Sequence, residues 1–157
     1  MGRSRSRRRP GDRVVLPADS YFGARQLADT FFKEMGVRVD RAPTANSAQL
    51  ENVEGARLIW LETPSNPNLD VCDVRAIVER AQASGALVAV DNTTATILAQ
   101  RPLDLGADFS VASDTKAMSG HSDLLLGHVA ARDPERIERV RQWRTLVGAA
   151  PGPMDVW

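Results

Sequence analysis

The sequence predicts an α/β protein built on a mostly parallel β-sheet with helices on both faces. Three observations predict it. Short apolar runs at residues 13–17 (RVVLP), 56–61 (ARLIWL) and 86–90 (ALVAV) are continuous rather than alternating, which marks strands buried on both sides. Stretches with apolar residues near helical spacing lie between those runs. Gly36 and Gly85 stand where these stretches should stop.

Taken in order, residues 13–17 form the first strand. Residues 22–34 follow as a helix carrying Phe22, Leu27, Phe31 and Phe32 near helical spacing, with Met35 beyond them and Gly36 ending it. Residues 37–41 are a second strand and 47–53 a short helix. Residues 56–61 are a third strand, apolar on both faces. A helix over 74–83 closes at Gly85 and leads to a fourth strand, 86–90, that ends at Asp91. Strands over 107–112 and 124–131 come next. Residues 134–146 are a charged amphipathic helix with Pro134 in its first turn. Residues 1–10 (MGRSRSRRRP) differ from the rest, with five arginines and no apolar side chain beyond Met1, and read as a disordered tail. Residues 11–157 are the folded part.

Composition narrows the function. Hydrophobic content of 43% and charged content of 25% over 157 residues are ordinary for one globular domain. A formal net charge of +0 gives no case for nucleic acid or an anionic membrane as partner. The arginines of residues 1–10 could meet a polyanion such as RNA, but a solvated tail or a misplaced start is the preferred account of them. No run of 18 apolar residues exists, so no membrane span is expected. No apolar block follows the basic N-terminus, so no secretory signal is read. Cys72 is the only cysteine, which excludes an internal disulfide, fits a cytoplasmic setting and reads as a small buried residue rather than a nucleophile. His121 and His128 have no Cys or carboxylate at a zinc-binding spacing, so no metal site is expected. Dinucleotide, P-loop and serine-hydrolase signatures are absent from the sequence.

Open parallel sheets bind ligands beyond the carboxyl ends of their strands. That rule singles out residues 19–23, 62–67, 91–94 and 113–123. Asp91 directly follows an apolar strand, where a carboxylate needs a cation or hydrogen bonds to stay ionised; a protonated pyridine nitrogen is such a cation, and a helix N-cap is the alternative. Ser113 and Thr115 offer hydroxyls suited to a phosphate, with Lys116 beside them, although a plain loop uses the same residue types. Lys116 and Lys33 are the only lysines beside 18 arginines, and only lysine can form a Schiff base. Residues 62–67 (ETPSNP) hold Asn66 between two prolines, where its amide could meet a ligand hydroxyl or simply finish a turn. Tyr21, the only tyrosine, could stack on an aromatic ligand or serve the core.

The stretch at residues 88–127 (VAVDNTTATILAQRPLDLGADFSVASDTKAMSGHSDLLLG) closely resembles the pyridoxal 5′-phosphate (PLP) segment of the trans-sulfuration enzymes of cysteine and methionine metabolism. LPADSYFGA and LIWLETPSNP resemble that family's preceding motifs at the right separation. The resemblance covers nearly all of residues 11–157. It implies part of the large domain of a fold-type I, aspartate aminotransferase-like enzyme with PLP as cofactor. Residue by residue, it implies that Lys116 holds the cofactor and later moves protons. Asp91 pairs with the pyridinium nitrogen, and Ser113 and Thr115 bind the phosphate. Tyr21 stacks over the ring and assists the leaving group, and Asn66 lies near the ring's 3′-oxygen. The implied activity is carbon–sulfur lysis of a sulfur amino acid. GHSDLLLGHVAARDPE and residues 143–147 are most similar to bacterial cystathionine γ-lyases or γ-synthases, with the lyase modestly preferred and methionine γ-lyase as another member to weigh.

The departures are equally specific. Members of that family are well over twice as long and form homotetramers of dimers that share active sites. Their N-terminal arm, phosphate-cradling loop and C-terminal domain, with its carboxylate-clamping arginine, find no match here. Phe22 stands where glycine is common, and Ala117 where an aromatic is usual. An inactive truncated remnant is therefore the reading of another class.

Overall fold

The computed structural model describes residues 11–156; the predicted tail at 1–10 and Trp157 lie outside them. Six strands form one sheet: β1 (Arg13–Pro17), β2 (Arg38–Ala42), β3 (Leu58–Glu62), β4 (Leu87–Asp91), β5 (Phe109–Ser113) and β6 (Gly127–Ala130), in the order β2-β1-β3-β4-β5-β6. Every pairing is parallel except β5 with β6, which is antiparallel. The fold class agrees with the one predicted.

Each strand of the middle of the sheet divides its side chains between two cores. Val15, Ile59, Leu61, Val88 and Val90 face helix α2 (Val74–Ser84), whose Val74, Ile77, Val78 and Ala81 bury one stripe at helical spacing. Val14 and Leu16 face the opposite way, onto Ala28 and Val37, with Phe32, Leu58 and Trp60 packed around them. Helices thus cover both faces, which explains why the strand sequences are apolar without alternation. Helix α2 starts at Asp73, whose carboxylate accepts the Ala76 N–H at 3.0 Å, and stops at Gly85, whose φ of 76° is cheap only for glycine.

The first predicted helix forms with an altered winding. Helix α1 (Phe22–Leu27) runs into a π-helical stretch at Ala28–Phe32. Thr30 donates its hydroxyl to the Gln26 carbonyl at 2.9 Å, competing at the point where the ladder widens. The predicted helix at 47–53 is instead a pair of 3-10 turns merged across a kink over Ala45–Asn52. Asn46 and Ser47 adopt left-handed backbone there, at φ 56° and 53°. The kink places the Ser47 hydroxyl to accept the Asp73 N–H at 2.8 Å, tying this segment to the start of α2. A four-residue helix, α3 (Thr96–Ala99), follows β4. Helix α4 (Pro134–Val147) forms as predicted, capped by Asp133, but none of its residues is buried, and Trp143, Leu146 and Val147 are exposed.

Ile77→Ala, in the main core, should cost about 2–5 kcal/mol in urea unfolding, and Leu98→Ala, on the exposed side of α3, within about 0.5 kcal/mol. Equal costs would mean that the described core does not hold the sheet together.

Candidate active site at the carboxyl edge of the sheet

Strands β1, β3, β4 and β5 are neighbours and parallel, so their carboxyl ends lie along one edge. The loop after β1 is pinned first. Ser20 is buried and donates its hydroxyl to the Pro17 carbonyl at 3.0 Å, and Asp19 accepts both the N–H and the hydroxyl of Thr44. Burial works to raise the Asp19 carboxyl, but hydrogen bonds from Ser65 and Thr44 outweigh it and hold it below the ordinary range. This anchoring delivers Tyr21 to the edge with its ring half-exposed, edge-on to Phe22 at 5.8 Å. Gly23 makes that ring position possible, because a Cβ there would sit 2.6 Å from Tyr21 Cε1.

Glu62 closes β3 and is 4% exposed. Its Oε2 accepts the Tyr21 N–H at 2.8 Å and its Oε1 accepts the Asn66 N–H at 3.0 Å. Burial pushes the Glu62 carboxyl above the ordinary range, and the charges of Asp91 and Asp19 add to that push, against the two N–H groups. Ser65 closes the turn by bonding the Asp70 carbonyl through its N–H at 2.9 Å and accepting the Asp70 N–H at 3.2 Å. Asn66 is exposed within that turn, and no hydrogen bond engages its amide among the described residues.

Asp91 closes β4 and is the register partner of Glu62. It does not cap a helix: the N-cap of α3 is Ala95. Instead its Oδ1 accepts the N–H of Thr93 at 3.0 Å and the hydroxyl of Thr93 at 2.6 Å. Among the described residues no hydrogen bond ends on Oδ2. The Thr93 hydroxyl in turn accepts the Ser113 N–H at 2.9 Å, which ties the end of β4 to the end of β5. Asn92 is buried and exchanges hydrogen bonds with Gln100, whose amide also reaches the Thr63 carbonyl at 3.2 Å.

Beyond β5 the chain turns through residues 114–119. The Lys116 N–H donates to the Ser113 carbonyl at 3.2 Å, and the Lys116 side chain is exposed with no ion pair or hydrogen bond among the described residues. The Ser113 hydroxyl is likewise unengaged. Thr115 differs, because its hydroxyl donates to the Leu126 carbonyl at 3.1 Å and accepts the Leu126 N–H at 3.0 Å, holding the far strand of the turn. His128 is paired with Asp114 at 2.7 Å. Lys116 and Thr115 line one hollow with Ser122 and Asp123; Ser113 and Thr93 line another, and Ala117 borders both. Tyr21, Asn66 and Asp91 share the sheet edge but line neither hollow.

Two residues of this network, Glu62 and Thr93, were not singled out from the sequence. Glu62 carries the same signal as Asp91, a carboxylate ending an apolar strand, but it also opens a proline-rich turn that accounts for it. Thr93 reads as one more hydroxyl in a polar loop. Cys72 is only partly buried, packed against the main core, short of the buried position expected; burial still pushes its thiol up to about 11, against a hydrogen bond from Thr63.

The donor set suits PLP. It offers an unpaired amine, a carboxylate with one oxygen left over for a ring nitrogen, and a free hydroxyl beside them. The Thr115 hydroxyl is already engaged twice by the Leu126 backbone.

Comparison with known proteins agrees. The family model described as Cys/Met metabolism PLP-dependent enzyme matches residues 6–157. A Streptomyces coelicolor protein named "Putative cystathionine gamma-lyase" is 59% identical over 97% of this chain and 38% of its own length. A Mycobacterium tuberculosis cystathionine gamma-synthase is 41% identical over 95% of this chain and 39% of its own. Among solved structures, a cystathionine gamma-lyase of Lactobacillus plantarum complexed with L-serine superposes with a TM-score of 0.90 at 32% identity, over 95% of this chain and 40% of that one. The chain therefore spans about two-fifths of the length of these relatives.

Two outcomes follow from the titrations. Glu62 has its folded pKa above the ordinary 4.5, so its contribution to stability is full below 4.5 and is lost as pH rises through the folded value. Glu62→Gln should remove that decline, flattening unfolding free energy against pH above 4.5; an unchanged slope would contradict it. Separately, Cys72 should resist alkylation at pH 8 in the folded protein and react on denaturation, followed by mass spectrometry.

Proposed function

Because the chain belongs to the family of Cys/Met metabolism PLP-dependent enzymes, we propose that the protein is a PLP-dependent carbon–sulfur lyase acting on cystathionine, with Lys116 holding the cofactor. The observation that carries this reading is the arrangement at the ends of β4 and β5. There an Asp91 carboxylate with one oxygen to spare ends β4, and an unpaired Lys116 amine is carried by the turn that follows the adjacent β5, the two strand ends being joined through Thr93 and Ser113. The relative at 59% identity favours the lyase. The gamma-synthase relatives at 41% support a second reading, replacement at the γ-carbon in place of elimination. Residues 11–157 then form part of a PLP-binding large domain, and the substrate is a small sulfur amino acid.

When bound, PLP supplies an electron-withdrawing ring that stabilises negative charge at the substrate α-carbon. The chain's own residues do the rest. Asp91 Oδ2 accepts from the ring nitrogen and keeps it protonated, with Thr93 fixing the carboxylate through Oδ1. The Ser113 hydroxyl donates to a phosphate oxygen. Lys116 would hold the cofactor through its amine, and that amine would serve as the base that takes the proton from the substrate α-carbon and returns it further along the substrate. The half-exposed Tyr21 ring would stack on the cofactor, and its phenol would donate a proton to the departing sulfur. The Asn66 amide meets the ring's 3′-oxygen. Thr115 supports the turn that carries Lys116, through Leu126.

PLP added to the protein and fixed by borohydride should leave a pyridoxyl group on Lys116 and none on Lys33, located by peptide mass spectrometry. Labelling of neither lysine, or of both alike, would sink the assignment. Asp91→Asn should retain labelling but lower the rate of 2-oxo acid release from cystathionine by about 100-fold or more.

A further inference from the structure

We infer that Glu62 is the positioning residue of this site: a single buried carboxylate accepts the backbone N–H groups of both Tyr21 and Asn66 and so fixes, relative to each other, two ligand-facing side chains carried on the loops of different strands. The ligand-facing part of this statement rests on the function proposed above; the strut itself does not.

The geometry is specific. Tyr21 belongs to the loop after β1 and Asn66 to the turn after β3, and 2.8 Å and 3.0 Å hydrogen bonds to opposite oxygens of one side chain join them. Both oxygens accept an N–H most strongly in the ionised carboxylate. Protonation leaves one oxygen a hydroxyl, a weaker acceptor that must also find a place for its proton, and a glutamine amide points an NH2 at one of the two N–H groups. Either change weakens the hold on Tyr21 or Asn66.

The electrostatics show that this charge is not placed for stability. Glu62 is 4% exposed and has no ion pair or hydrogen bond to a cationic side chain among the described residues. The charged groups that face it are carboxylates: Asp91 on β4, its register partner, and Asp19 in the loop after β1. A buried charge flanked by like charges opposes folding. Its position at a ligand-facing edge is the expected place for a residue that trades stability for a fixed arrangement.

Tyr21 is the only tyrosine in the chain, so 13C-tyrosine labelling gives a single reporter. In the protein without cofactor, the Tyr21 ring signal should shift with pH in a step lying above 4.5, the ordinary glutamate value, and below about 8, short of the range in which phenols ionise. Asp19 titrates below 3.8, outside that window. The step should vanish in Glu62→Gln and persist in Asp91→Asn. A step in that window that survives Glu62→Gln, or is lost only in Asp91→Asn, would overturn the inference; if Glu62→Gln does not fold, absence of any wild-type step in that window overturns it alone.

With PLP present, Glu62→Gln should still label Lys116 but lose about tenfold or more in kcat/KM. The double variant with Tyr21→Phe should lose little more than the worse single variant, and losses that multiply would mean independent roles. Failure of wild-type Lys116 labelling would count against the proposed function, while the tyrosine titration would still decide the role of Glu62.

Discussion

Parallel pairing of β1, β3, β4 and β5 is the constraint on which everything else in this protein depends. Parallel strands all leave the sheet on the same edge, and their crossovers need room on the faces, which α1 and α2 occupy. Residues separated by nearly a hundred positions, from Tyr21 to Lys116, are brought to that edge by the backbone before any side chain contributes. Side chains then stitch the edge together. Tyr21 and Asn66 meet on Glu62, Glu62 stands in register with Asp91, and Asp91 reaches Ser113 through Thr93. Lys116 hangs from the last link by its own N–H on the Ser113 carbonyl.

The edge is acidic at its centre. Glu62 and Asp91 lie on adjacent strands and repel, with Asp19 close enough to add to the effect on Glu62. Hydrogen bonds from N–H groups and a threonine hydroxyl hold this negative charge in place of a permanent cation. A ligand that brings positive charge to the edge is therefore met by a preorganised field. The requirement matches the protonated ring nitrogen proposed on the Asp91 side.

Much of this was legible in the sequence because the signals were local. The apolar runs at 13–17, 56–61 and 86–90 announced buried strands, and the carboxyl-edge rule then named loops that the parallel sheet gathers along one edge. Lys116 was conspicuous as one of two lysines among 18 arginines. What could not be read was whatever depends on register or on which partner a polar atom chooses. Glu62 and Asp91 face each other only because β3 and β4 pair without offset, a fact no residue pattern encodes. Thr115 carries a hydroxyl as suitable for a phosphate as that of Ser113, yet it serves the Leu126 backbone. The widened turn at Thr30 and the left-handed pair at Asn46 and Ser47 come from side-chain competition for backbone groups, which helical periodicity does not detect.

Helix α4 is held differently from the rest. None of its residues is buried; Arg136 pairs with Asp108, and Arg132, just ahead of the helix, pairs with Asp104. Asp108 also accepts the Val88 N–H at 2.7 Å, so a single carboxylate moors the helix to the beginning of β4, at the end of the sheet away from Lys116. Partly exposed ion pairs weaken as salt shortens the reach of charge, to roughly 10 Å at 0.1 M, whereas the apolar cores do not. Ionic strength is thus a tiller for this one element: it can loosen the mooring of α4 while leaving the sheet, and the edge that carries the chemistry, where they are.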